Sequence, residues 1–151
     1  MNNKKIEKRV IQLYEKLELS NEIKLPEKDA AQLIRHGALI VFQLDAHNHF
    51  IYLNPAWENV TAVPLAKAVK HSLFNFVHEQ DHDYLRKKLQ LIRTSVSNHS
   101  FHTECRLKVN SSQIIHVEMQ LIYSPENNKA QYVMGMMVDI SKHKIFLENL
   151  I

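Results

Sequence analysis

The stretch that most constrains this chain is "YVMGMMVDI", residues 132–140. Side chains on a strand point to opposite faces with a period of two, and here both faces are apolar. Such a strand cannot leave one side in water, so it belongs in the middle of a sheet covered on both sides. The two segments before it alternate instead. In "SFHTECRLKV", Phe101, Thr103, Cys105, Leu107 and Val109 share one face, and His102, Glu104, Arg106 and Lys108 share the other. In "QIIHVEMQLIY", Ile115, Val117, Met119, Leu121 and Tyr123 share a face. "NSS" and "SPENNK" read as the turns between them, which makes three consecutive antiparallel strands.

The chain before these strands supplies the rest of a layered domain. "ALIVFQLD", the turn "DAHNH" and "FIYL" read as a hairpin that Asn54-Pro55 ends. Residues 56–77 alternate short apolar and polar patches and contain Pro64, which predicts two or three short helices. "DHDYLRKKLQLIRTSV" is the best helix, with Leu85, Leu89, Ile92 and Val96 at helical spacing and Asp81 as its cap. Two strands, several helices and three strands make an α+β fold. One antiparallel five-stranded sheet carries short helices and one longer helix on one face.

The ends differ in character. In "KKIEKRVIQLYEKLEL", Ile6, Val10, Leu13 and Leu17 form the narrow apolar seam of an amphipathic helix. About two heptads are too short to be stable alone, so the seam needs a second copy or the body of the domain. The basic residues Lys4, Lys5, Lys8 and Arg9 are its solvated face. Pro26 suits the first turn of a further helix, "EKDAAQLIRH", and Gly37 its stop. At the other end "KHKIFLENLI" begins a new apolar pattern that breaks off, which suggests that the sequence continues. The expected organisation is a helical extension over 1–37, a folded domain over 38–141 and the start of a C-terminal helix over 142–151.

Composition sets the outer limits. The 151 residues, 45% hydrophobic and 23% charged, suit one domain with a real core. A net charge of +3 with scattered basic residues gives nucleic-acid binding no support. One cysteine permits no internal disulfide and suits a reducing compartment. No apolar run reaches the roughly 20 residues of a membrane span, and no secretory signal opens the chain. The expected location is cytoplasmic.

Four blocks in order resemble the PAS domain family: "FQLDAHNHFIYLNPAWENVT", "SLFNFVHEQDHDYLRKKL", "FHTECRLKVNSSQIIHVEMQLIY" and "MGMMVDISKHK". Asn54, Pro55 and Trp57 stand at the family's Asn-Pro-aromatic turn. "FVHEQD" is similar to Phe-x-His-Pro-Asp-Asp, with Glu79 for Pro. "VDISKHK" is similar to Asp-Ile-Thr-Glu-Arg-Lys, with Ser141 for Thr. Two departures stand out: Ala62 replaces a glycine that often ends the first helix, and "VNSS" replaces a Lys-Asp-Gly-Ser turn, which points to a different turn type. The resemblance covers residues 38–144. It implies a sensory, non-catalytic module with a cup between sheet and helices, and a signal passed along terminal helices to an effector. That effector would be a histidine kinase of a two-component system or a diguanylate cyclase.

Competing chemistry centres on His78-Glu79-Gln80-Asp81-His82, an H-E-x-x-H sequence. On one helix this spacing holds zinc, with the glutamate as general base of a hydrolase. If the resemblance holds, His78 precedes the long helix and His82 begins it, so the imidazoles share no face. Neither the Gly nor the His of the extended zincin motif follows. His47 and His49 lie together in the hairpin turn, where solvated positions explain them better than a metal. Cys105 alternates with apolar strand residues and reads as core. Flavin-binding relatives carry an Asn-Cys-Arg-Phe-Leu-Gln motif that is absent here. Haem-binding relatives place a ligand His well inside the long helix, where this chain has leucines. The expectation is therefore no catalytic residue, no metal and no required cofactor, with a haem sensor and a zinc hydrolase as the alternatives.

The expected cup is lined or filled by Phe42, Leu44, Trp57, Phe76, Leu89, Cys105, Leu107, Met119 and Leu121. Any ligand there would be small and largely apolar, because few polar side chains point inward. The expected assembly is a homodimer through Ile6, Val10, Leu13 and Leu17.

Overall fold

The structure is a computed structural model; it describes residues 37–141 and, in the N-terminal segment, Lys5, Lys8 and Gln12, each helical. The seam residues Ile6, Val10, Leu13 and Leu17, the expected helix before Gly37 and residues 142–151 lie outside the described residues.

The chain enters through β1 (Leu39–Leu44) and β2 (Phe50–Leu53). Two short helices follow, α1 (Ala56–Thr61) and α2 (Leu65–Ala68), then 3-10 turns at Leu73–Asn75 and Glu79–Asp81. The longest helix, α3 (His82–Arg93), leads into β3 (His99–Asn110), β4 (Gln113–Tyr123) and β5 (Val133–Asp139). The five strands form one sheet in the order β2-β1-β5-β4-β3, with every named pair antiparallel.

β5 sits at the centre because its sequence can be buried on both sides. It pairs with β1 from Leu39↔Val138 to Leu44↔Val133, and with β4 from Val117↔Asp139 to Ile122↔Met134. Ile40, Phe42 and Leu44 of β1, Val133 and Met137 of β5 and Val117, Met119 and Leu121 of β4 join the core cluster with Leu85, Leu89 and Ile92 of α3. Leu39, Val41, Met134, Met136 and Val138 fall on the alternate positions and are buried as well, outside that cluster.

One close approach decides how β1 and β5 fit. Gly135 stands opposite Phe42. A Cβ on Gly135 would fall inside the Phe42 ring. The missing side chain therefore makes the room in which that ring lies, at 5.7 Å and nearly perpendicular to Phe50.

Two sequence expectations at element ends are corrected. α3 stops at Arg93, and Val96, expected within the helix, is 96% exposed beyond it. The helical spacing of Val96 carried no weight because nothing packs over that turn. Asp81 occupies the position before α3, yet its side chain makes no capping hydrogen bond; it accepts from Arg106 of β3 instead.

The turn between β3 and β4 is, as its sequence suggests, of a different type. A two-residue hairpin loop usually needs positive φ. Neither Ser111 nor Ser112 has it, and the register shifts between Lys108 and Asn110. The Asn110 side-chain carbonyl holds the turn by accepting from the Ser112 N–H at 3.0 Å and from its hydroxyl at 3.1 Å.

Ala62, which replaces the expected glycine, ends α1 in the left-handed region at φ 60°, with its N–H donating to Glu58 O at 2.9 Å. An L-residue is strained there, by about 1 kcal/mol relative to glycine. Ala62→Gly is therefore expected to raise unfolding stability by about 1 kcal/mol. Urea denaturation at neutral pH reads it, and a loss of stability would contradict the assignment.

Candidate functional site

The core between the sheet and the helices takes shape where β2 ends. Asn54 is buried; its side-chain carbonyl accepts from the Val41 N–H and its side-chain N–H₂ donates to Leu39 O, both at 2.9 Å. The amide thus continues the pairing with β1 while Pro55 turns the chain out of the sheet. α1 starts immediately, and Trp57 on its first turn points into the core with no exposure. Phe50 of β2 lies 5.5 Å from the Trp57 ring, and Phe76 lies 5.2 Å from it at 78°.

Eight of the nine expected cup residues are buried members of one cluster: Phe42, Leu44, Trp57, Leu89, Cys105, Leu107, Met119 and Leu121. Phe76 is partly buried and packs against it. The structure adds Phe50, Leu73, Phe74 and Val77 to the same cluster. Phe50 escaped the sequence reading because "FIYL" is too short for alternation to fix its inward face. The others lie on or beside 3-10 turns, whose three-residue runs carry no periodic signal.

One polar group in this apolar space has no partner. The Trp57 indole N–H is buried and meets no acceptor among the described residues. An indole N–H is a donor only, and a buried donor normally finds an acceptor. This is the one buried side-chain polar atom without a partner, among the described residues, that belongs to the core cluster.

The H-E-x-x-H segment does other work. His78 precedes the 3-10 turn, and its Nδ1 accepts from the Gln80 N–H at 3.1 Å. His82 opens α3; its Nε2 lies 2.7 Å from Val77 O, and its ring stands edge-on to Phe74 at 5.3 Å. Glu79 lies 3.6 Å from the Lys108 ammonium. The two imidazoles sit on different elements and each engages the backbone, so the segment does not form the one-face helical pair of a zinc hydrolase. Among the described residues no group of three or more His, Cys, Asp or Glu is arranged to hold a metal ion. α3 presents Leu85, Leu89 and Ile92 inward and carries His82 only at its first position, an unsuitable place for a haem ligand from within the helix.

Asp81 fastens this segment to β3. Its Oδ2 accepts from the Arg106 backbone N–H at 2.9 Å and from Nε at 3.1 Å, and its Oδ1 accepts from Nη2 at 2.8 Å. Alongside, His78 N donates to Arg106 O at 2.9 Å, and Val77 bridges Leu107. Burial alone would raise the Asp81 pKa. The hydrogen bonds and charge of Arg106 outweigh it and hold the carboxyl below its ordinary value. The neighbouring Cys105 thiol is pushed up to about 12, by burial first and then by the Asp81 charge. It is a core thiol and not a nucleophile.

A carboxyl whose folded pKa is depressed adds stability above its unfolded pKa, and that stability disappears as pH falls through the folded value. Asp81→Asn is therefore expected to destabilise the fold at pH 7. The difference from wild type should shrink once pH drops below about 4, the ordinary carboxyl range. Urea denaturation across pH measures it, and a difference independent of pH would rule out the charged clamp.

Comparison with known proteins agrees with this architecture. The PAS fold profile matches residues 30–140. No curated protein matches the chain. Among solved structures, a PAS domain from Colwellia psychrerythraea has a TM-score of 0.61 at 15% identity, over 74% of this chain and 94% of that one. A domain of a putative light and redox sensing histidine kinase from Haloarcula marismortui has a TM-score of 0.58 at 19% identity, over 74% and 97%. The PAS domain of the RpfR quorum-sensing receptor from Cronobacter turicensis, in complex with BDSF, has a TM-score of 0.55 at 14% identity, over 69% and 95%. PAS domains are generally sensory, non-catalytic modules. The profile covers most of the chain and the sheet carries its helices as that fold requires, so the chain belongs to the PAS family.

Proposed function

We propose that this chain is a cytoplasmic sensory module whose cup takes a small, largely apolar ligand carrying one hydrogen-bond acceptor. The observation that carries this reading is the Trp57 indole N–H, buried among Phe50, Phe76 and the aliphatic core with no acceptor. An acceptor entering the cup would satisfy that donor, and the ligand's apolar part would stay out of water. The RpfR PAS domain, which shares the fold, has been solved in complex with BDSF and with C12:0, which supplies a first probe. In this reading the module needs no metal and no resident cofactor.

The ligand's effect would leave the domain through its ends. The seam of Ile6, Val10, Leu13 and Leu17 would pair two copies, and a helix continuing from 142–151 would pass the change to an effector such as a histidine kinase or a diguanylate cyclase. Among the described residues no helix is long and apolar enough to cross a membrane.

Trp57 is the single tryptophan of the chain, so its emission reports on the cup alone. Titration with C12:0 is expected to change that emission saturably, while Leu89→Phe, which fills the cup without adding a second indole, weakens the response. In sedimentation the same protein is expected to dimerise, and Val10→Asp with Leu13→Asp to return it to monomer. An emission that does not respond, together with a monomer at every concentration, would refute the reading.

A further inference from the structure

The outer face of the sheet carries a second unsatisfied polar group, on the side of β4 away from the cup. Gln120 is 1% exposed, and among the described residues neither its side-chain N–H₂ nor its side-chain carbonyl has a hydrogen-bond partner. It stands between His102 of β3 and Met136 of β5 in register. It also lines a cleft of about 420 Å³ with Asn98, His99, Ser100 and His102. On the flank of that cleft His102 pairs with Glu118.

A primary amide offers a donor and an acceptor side by side. Both are unpaired in Gln120, so exchanging its O and N leaves the same donor and acceptor on offer. A carboxylate would satisfy the N–H₂ and face the carbonyl and the Glu118 carboxylate. A cation would satisfy the carbonyl alone. A trans peptide group engages one of the two at a time. A molecule with N–H and C=O on one edge would engage both together, in a closed pair of hydrogen bonds, once the buried Gln120 side chain turns toward the cleft. Imidazole, hydroxyl and amide groups of His102, Ser100 and Asn98 give the cleft a polar wall suited to such a molecule. We propose that this cleft is a binding site for a small neutral compound with an amide edge: a primary carboxamide, a lactam or a pyrimidine base.

The test is a titration of the ¹⁵N-labelled full chain with nicotinamide and with uracil, followed by NMR at the Gln120 side-chain N–H₂ and the His102 backbone amide. At least one of the two is expected to shift both signals saturably. Nicotinate, the anionic counterpart, should bind at least about tenfold more weakly, the loss expected when one hydrogen bond becomes a repulsion. Gln120→Leu, and Gln120→Met as a length-preserving second variant, should abolish the saturable shift of the His102 signal. Three results would each overturn the assignment: no saturable shift with either amide, equal binding of nicotinate, or binding that survives in the folded variant.

Discussion

Two hydrogen bonds from one buried side chain set the geometry on which the domain depends. Where β2 ends, the Asn54 amide takes the place of a further strand residue and occupies the Val41 N–H and the Leu39 carbonyl. Those groups lie in the edge of β1 that β2 has just left, inside the protein. Unpaired, each would cost about 1–3 kcal/mol. Because the side chain meets that need, the backbone is free to turn at Pro55 and start α1 within one residue. Trp57 reaches the core only because the turn comes there. A leucine at 54 would fit the volume and leave both backbone groups empty.

The helical side of the core is fixed at both ends of α3. At its start Asp81 is tied to Arg106 of β3 through three hydrogen bonds. At its end Arg93 donates to Asp45 O at 2.9 Å and to Gln131 O at 3.1 Å, joining the helix to the β1–β2 turn and to the loop before β5. Burial presses the Arg93 pKa down, with the charges of Tyr123 and Asp45 opposing it; the two carbonyls meet its donors. Between these anchors Leu85, Leu89 and Ile92 face the sheet. The opposite wall is made of short pieces, α1, α2 and the 3-10 turn at Leu73–Asn75. In a sensory reading, a ligand meeting Trp57 acts on those short pieces against a fixed helix and sheet.

What could be read in the sequence is what periodicity encodes. Alternation in β3 and β4 gave the inward faces, and "YVMGMMVDI", apolar on both sides, gave the central strand. Leu85, Leu89 and Ile92 gave the buried face of α3. What could not be read depends on partners far along the chain. Asp81 looked like a helix cap because capping is local, whereas Arg106 lies 25 residues away. Val96 kept helical spacing without a surface to pack on. Gly135 was legible as one of only two glycines, but not as the space for the Phe42 ring. The empty indole donor of Trp57 and the empty amide of Gln120 leave no trace in a sequence, since both residues serve equally well where partners exist.

The central claim is that the Trp57 donor awaits an acceptor carried by a ligand. With one tryptophan in the chain, the indole N–H gives a single ¹H–¹⁵N resonance. The decisive measurement is that resonance with and without saturating C12:0, together with proton contacts between the probe and the rings of Phe50 and Phe76. A downfield move of the indole signal with contacts to both rings is the expected result. An indole signal that stays in place, with no contact between probe and rings, would contradict the account.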